Sequence, residues 1–204
     1  MTETPLDEYR TFHDSVLVPV ASQLEQVIRD HLNGVPRIDR INARAKSPER
    51  FAAKAIKAGS DGSPKYSDPM IQIQDLVAAR AIVYYPQDIE TVSQAVLRYF
   101  RPIEVKSLVP DSEWKFGYFG RHFIFALPQE AIPRALPVGV APQFFEFQIK
   151  TLFQHAWAEA EHDLGYKPPD QLTGVQQRSL AYTAAQAWGA DRIFEELFDE
   201  LGRR

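Results

Sequence analysis

The run Phe-Phe-Glu-Phe-Gln-Ile-Lys at residues 144–150 constrains the fold more than any other stretch of the chain. Successive side chains of a strand point to opposite faces, so Glu146, Gln148 and Lys150 share one face while Phe145, Phe147 and Ile149 share the other. The aromatic face belongs to a core, and the polar face is a candidate site. From Thr151 to about Gly165 the spacing turns helical, so a strand runs directly into a helix. Trp157, Ala160 and Leu164 recur at helical intervals and predict that helix's buried stripe.

Other elements read from the same periodicities. Apolar residues at Leu17, Val18, Leu24, Val27, Ile28 and Leu32 predict a helix that Asn33-Gly34 ends. Residues 37–46 alternate, with Arg40, Asn42, Arg44 and Lys46 on one side and Ile41, Ala43 and Ala45 on the other. Ser47-Pro48 opens a helix that carries Lys54 and ends near Gly59. Residues 59–69, rich in Gly, Ser, Pro and Asp, read either as a mobile flap or as an ordinary surface turn. Strands are predicted over 79–85, 102–109 and 121–128, and helices over Asp88 to Phe100, with Asp88 as its cap, and Thr173 to about Leu201. This order argues an α+β fold around a mixed β-sheet flanked by helices. With 204 residues, 45% of them hydrophobic, a single domain is expected, with an N-terminal helix over 1–35, a catalytic core over 36–167 and a C-terminal helix over 168–204.

The chain has 23 basic and 27 acidic residues and a net charge of −4, so any phosphate site must arise from local clustering of Lys and Arg. The absence of cysteine excludes disulfides, thiol nucleophiles and Cys-ligated zinc. The N-terminal segment carries acids where a signal peptide has bases, and no apolar run approaches the ~20 residues of a spanning helix, so a cytoplasmic protein without a membrane partner is expected.

If the predicted strands share a sheet, Arg44, Lys46, Asp75, Arg80, His122 and Glu146 reach one surface. One reading is the solvated face of an antiparallel sheet. The other is a phosphoryl-transfer site, with Mg²⁺ between Asp75 and Glu146 and phosphate oxygens on Arg44, Lys46, Lys54 and Arg80. The density of arginine, whose fork suits phosphate, favours the second. Glu159-x-x-His162 has the spacing of a di-metal helical motif but lacks the partner motifs such a site needs.

The blocks at residues 44–54, 75–82, 117–123 and 145–167 resemble, in order, the synthetase domain of the RelA/SpoT family of (p)ppGpp enzymes. The resemblance implies a nucleotidyltransferase-like fold and a pyrophosphokinase that moves the β,γ-pyrophosphate of ATP to the 3′-hydroxyl of GDP or GTP. It implies ATP contacts at Arg44, Lys46, Lys54 and Arg80, Mg²⁺ at Asp75 and Glu146, and Glu146 as the general base. On the acceptor side it implies that Tyr118 stacks on the base and His122 meets phosphates, with Gln148 and Lys115 beside them. Departures gather there: Gly120 stands where the family has Ser, Trp114 and Phe116 replace the Lys and Asn, and Lys115 is displaced by one residue. Phe116 offers no side-chain amide, so looser guanine selectivity is expected. Lys150 stands for the commoner Arg, and His162, Tyr166 and Lys167 belong to a signature expected to pack rather than react. Nucleic acid is not a partner in the leading reading, and a homo-oligomer is compatible with it. The alternatives are a toxin-like relative that acts on adenine nucleotides or the tRNA 3′ end, and a degenerate nucleotide-binding domain.

Overall fold

The computed structural model describes residues 5–59, 61–107, 118, 120–166 and 172–202. The N-terminal helix begins earlier than its apolar period suggests. Helix α1 (Pro5–Phe12) passes through a π-helical turn (His13–Leu17) into α2 (Val18–His31). Pro19 has no N–H and its ring would strike the carbonyl four residues back, which the wider π turn accommodates. Gly34, at φ +86°, then reverses the chain.

Strand β1 (Ile38–Ala45) is followed by α3 (Pro48–Ala55), which starts at Ser47 as read, the Ser47 hydroxyl accepting from the Arg50 N–H. The Gly- and Ser-rich segment behind it is tied down by hydrogen bonds from Gly59 N to Ser63 O at 2.7 Å and Lys65 N to Lys57 O at 2.8 Å, the pattern of a surface turn. After α4 (Pro69–Gln72), β2 covers Val77–Val83, two residues ahead of the expected span. Helix α5 (Pro86–Val96) begins before Asp88 and ends short of Phe100. Asp88 is therefore not its cap. It sits in the first turn, fully buried, accepts from the Tyr85 N–H, and pairs with Arg37 at 2.6 Å.

Strands β3 (Pro102–Ser107), β4 (Arg121–Ala126) and β5 (Phe144–Thr151) complete a five-stranded sheet in the order β1-β2-β5-β4-β3. β2 and β5 run parallel and the other neighbours antiparallel. The sheet is mixed, as expected. On one face Phe123, Phe125, Phe145, Phe147 and Ile149 join α2 and α5 in the main core. On the other, the register sets Arg44, Ala78, Glu146 and Ile124 in one row and Asn42, Arg80, Gln148 and His122 in the next.

α6 (Leu152–Tyr166) leaves β5 without a loop because Thr151 and Gln154 form a capping box: Gln154 N donates to Thr151 Oγ1 at 3.0 Å and Thr151 N to Gln154 Oε1 at 2.9 Å. Thr173 and Gln176 repeat the device at the start of α7 (Gly174–Gly202). The predicted stripe on α6 is not buried as a stripe. Trp157 is half-buried, but Ala160 is exposed and Leu164 is 54% exposed, both lining an open cavity of about 730 Å³ between α6 and α7. The two helices touch at Trp157, whose indole N–H donates to Leu180 O, and at the Phe153–Phe194 ring pair.

The Arg37–Asp88 pair gives a stability test. Arg37→Met leaves a fully buried carboxylate without its cation and is expected to cost roughly 2–4 kcal/mol in urea unfolding, somewhat below the usual range for a broken buried pair because Arg37 is partly exposed. A midpoint within error of wild type would remove the pair from the folding account.

Candidate active site

Two rows of side chains on the sheet make the site. Glu146 stands at its centre because β5 is flanked by β2 and β4. His122 Nδ1 lies 3.2 Å from Glu146 Oε1, and the Gln148 amide donates to Oε2 at 2.9 Å, so both oxygens are steered. Burial pushes the Glu146 carboxyl up, and neighbouring Asp75 adds to that, but the hydrogen bond and charge of His122 and the Gln148 amide outweigh both. It therefore titrates below the usual glutamate range and is ionised at neutral pH.

Asp75 lies just before β2, across a cleft of about 310 Å³ shared with Arg44, Lys46, Arg50 and Glu146. Lys46 holds Asp75 Oδ2 at 2.8 Å and Lys54 holds Oδ1 at 2.9 Å. Burial acts to raise the Asp75 carboxyl, yet the two ammonium groups bring it below the ordinary aspartate range. Lys46 is itself placed by α1, since the buried Tyr9 stacks on Phe51 at 3.7 Å and donates its hydroxyl to Lys46 O at 2.7 Å.

Arg80 projects toward α6, where it meets Glu159 at 2.6 Å and the His155 ring at 3.4 Å. Lys150 is nearly buried beside it. Desolvation lowers the Lys150 ammonium and the Arg44 guanidinium, and the charge of Arg80 lowers both further. Three cations that disfavour one another so closely form a local potential well for an anion, whatever the chain's net charge. His155 is held below its usual range by burial and by Arg80, so its imidazole is neutral at pH 7.

Gly120 explains itself by contact. A Cβ there would land on the Ile149 carbonyl oxygen and within 2.5 Å of Lys150 Cγ, so the backbone at Gly120, just ahead of β4, approaches β5 at a distance only glycine permits. The serine expected from the resemblance has no room. Tyr118 is half-buried, its hydroxyl donating to Asp191 Oδ2 at 2.6 Å. Lys115, Trp114, Phe116 and Gly117 lie outside the described residues, as do Lys167 and the Tyr166 side chain, while His162 is exposed.

The expected residues Arg44, Lys46, Lys54, Asp75, Arg80, His122, Glu146 and Gln148 thus surround one face of the sheet. Arg50, Glu159 and Asp191 were missed. Arg50 was findable, being one helical turn from Lys54 on α3 and thus on the same side. Glu159, whose spacing to His162 suggests only an incomplete metal motif, is instead the partner of Arg80, 79 residues away. Among the described residues no group of three or more His, Cys, Asp and Glu side chains could hold a metal, so a cation here would rest on the Asp75 and Glu146 pair.

A family model described as "Region found in RelA / SpoT proteins" matches residues 43–171, well over half of the chain, with the sheet face from Arg44 to Lys150 inside it. The chain belongs to the RelA/SpoT family. It is 27% identical over 148 residues to the GTP pyrophosphokinase YwaC of Bacillus subtilis (strain 168), spanning 70% of this chain and 67% of that protein. The fold matches small alarmone synthetase 1 from Bacillus subtilis bound to its product pppGpp at a TM-score of 0.73 and 20% identity, over 96% of this chain and 98% of the other. A GTP pyrophosphokinase family protein from Streptococcus pneumoniae matches at 0.73 and 22% identity, over 98% and 96%. These family members share the mixed sheet and its flanking helices.

Two measurements test the site's construction. Gly120→Ala overpacks the loop against β5 and is expected to cost about 1–3 kcal/mol of stability; an unchanged melting temperature would show that the loop yields freely. Asp75 has a folded pKa below its unfolded one, so its contribution to stability is fully present above the unfolded value and is lost as pH falls through the folded one. As pH falls from about 5 through and below the ordinary aspartate range, the wild type should lose more stability than Asp75→Asn, and parallel acid-unfolding curves would contradict the pairing of Asp75 with Lys46 and Lys54.

Proposed function

We propose that this chain is a GTP pyrophosphokinase, transferring the β,γ-pyrophosphate of ATP to the 3′-hydroxyl of GDP or GTP to make (p)ppGpp. The observation that carries the proposal is the ionised Glu146 carboxylate, steered by His122 and Gln148 and facing the cleft with Asp75 and Arg44. Membership of the RelA/SpoT family and the named activity of the Bacillus relative support it.

In this reading the acceptor's 3′-oxygen attacks the β-phosphorus of ATP, the bond from that phosphorus to the oxygen bridging to the α-phosphate breaks, and AMP leaves. The 3′-hydroxyl proton goes to Glu146. A sugar hydroxyl is a very weak acid, so a carboxylate that is already ionised and aimed helps only when negative charge on the transferring group is neutralised at the same time. Arg44, Lys46, Lys54 and Arg80 supply that neutralisation on the donor side, with Lys150 and Arg50 beside them. Lys46, Lys54 and Arg80 are each held by a carboxylate rather than left to sample solvent, which limits the reorganisation needed when phosphate oxygens replace acid oxygens as partners.

Asp75 and Glu146 are the residues that would hold Mg²⁺, since one or two carboxylates, completed by phosphate oxygens and water, suit its octahedral demand. The ion, when bound, supplies charge neutralisation at the transferred group. Tyr118 stacks on the acceptor base, and Gln148 and His122 border its sugar and phosphates. The cytoplasm, rich in both nucleotides, is the compartment proposed. Among the described residues no helix is long and apolar enough to cross a membrane.

Incubation with γ-labelled ATP and Mg²⁺, separately with GDP, GTP, an adenine nucleotide and tRNA, tests the reaction. Label is expected on the guanosine products. Glu146→Gln is expected to retain ATP affinity and lose on the order of 10²–10⁴ in turnover. Label on adenosine or tRNA alone would replace the acceptor, and wild-type turnover in the variant would remove Glu146 as the base.

A further inference from the structure

Asp191 is a buried carboxylate that the reaction above does not use. It lies in the middle of α7, is 1% exposed, and is far in sequence from both side chains that hydrogen-bond to it. Two hydroxyls converge on its Oδ2: Thr151 Oγ1 at 2.5 Å and Tyr118 at 2.6 Å, 40 and 73 residues away respectively. Its Oδ1 is buried without a hydrogen-bond partner among the described residues. Burial raises the carboxyl and neighbouring Glu195 adds to that, while the two hydroxyl donors work against the rise.

Such a group is expensive to keep. A buried carboxylate with one unsatisfied oxygen costs free energy that an apolar residue at the same place would not, so packing alone gives no reason for it. Its two partners supply the reason. Thr151 is the hinge between β5 and α6, and its hydroxyl already accepts from Gln154 N, so donating to Asp191 fixes the direction in which α6 departs. α6 in turn carries Glu159 and His155 to Arg80. Tyr118 carries the aromatic ring of the acceptor loop, and a ring tethered at its hydroxyl keeps one orientation.

We infer that Asp191 is a positioning residue for the acceptor nucleotide, holding the Tyr118 ring in the orientation that receives the base and joining it through Thr151 to the helix that grips Arg80. This rests on the reading of Tyr118 as the base-stacking residue. An aromatic face earns its stacking contact only if the ring does not have to be immobilised when the base arrives, so a pre-formed hydroxyl anchor strengthens acceptor binding without touching the acceptor.

Acceptor KM, kcat and calorimetric ATP affinity in Tyr118→Ala, Tyr118→Phe, Asp191→Asn and the Tyr118→Phe/Asp191→Asn double variant test it. Tyr118→Phe keeps the ring and loses the hydroxyl's hydrogen bonds, to Asp191 and to Gln154, and is expected to raise acceptor KM about tenfold, with ATP affinity unchanged. Asp191→Asn is expected to move the same way, and the double variant no further than the worse single one, because both remove one interaction. An unchanged acceptor KM in Tyr118→Ala would overturn the stacking reading and this inference with it. A raised KM in Tyr118→Ala but not in Tyr118→Phe or Asp191→Asn would leave stacking in place and overturn the inference alone. Additive effects, or an equal fall in ATP affinity, would reduce Asp191 to a general support of the fold. If Asp191→Asn does not fold, Tyr118→Phe alone decides between these outcomes through the ratio of its acceptor and ATP effects.

Discussion

The parallel pairing of β2 with β5 is the constraint on which the site depends. It opposes Ala78 to Glu146 and Arg80 to Gln148, and it brings Asp75, at the mouth of β2, to the cleft that Glu146 faces. Past the cleft, at its far end, the parallel pair is covered on both sides, which is why Ile82, Val83 and Thr151 are fully buried and Lys150 nearly so. Register is consequently strict. A slip of one residue would turn Glu146 and Gln148 into the aromatic core and Phe147 toward the cleft, and the burial energy of Phe145, Phe147 and Ile149, on the order of 2 kcal/mol or more per side chain, opposes it.

Charge is organised by pairing across elements. Each acid at the centre has two partners: Asp75 from β1's end and α3, Glu146 from β4 and its own strand. Arg80 is drawn to α6, and α6 is aimed by the Thr151–Asp191 contact from α7. The site is therefore built on strands and braced by helices from both ends of the chain, α1 through Tyr9 and α7 through Asp191. That arrangement keeps many like charges together in one cleft, which is useful only to a ligand that brings several negative charges of its own.

Period-two alternation made β1 and β5 legible, because each has one face in the core and the side chains report it. The same rule was less exact for β2, whose strand carries apolar residues on both faces and gives no alternation from which to read its ends. Helix starts marked by Ser47 and Thr173 were readable from their side-chain chemistry, while Asp88 misled: its carboxylate does cap a turn, but from inside the helix, and mainly serves Arg37. The stripe on α6 failed for a different reason. Helical spacing reveals that Trp157, Ala160 and Leu164 share a face, not whether a neighbouring helix stays close enough to cover it.

By itself the sequence determined the polar row on β5, the acids and cations gathered around it and the mixed character of the sheet, since these follow from residue type, spacing and local motif. Only the tertiary structure decided who holds whom. That Lys46 and Lys54 share Asp75, that Glu159 grips Arg80, that Gly120 must be glycine and that Asp191 ties Tyr118 to Thr151 all join residues distant in the chain. Such contacts leave no periodic trace, because a charged or polar side chain meets its partner wherever the packing of apolar faces happens to bring the two elements together.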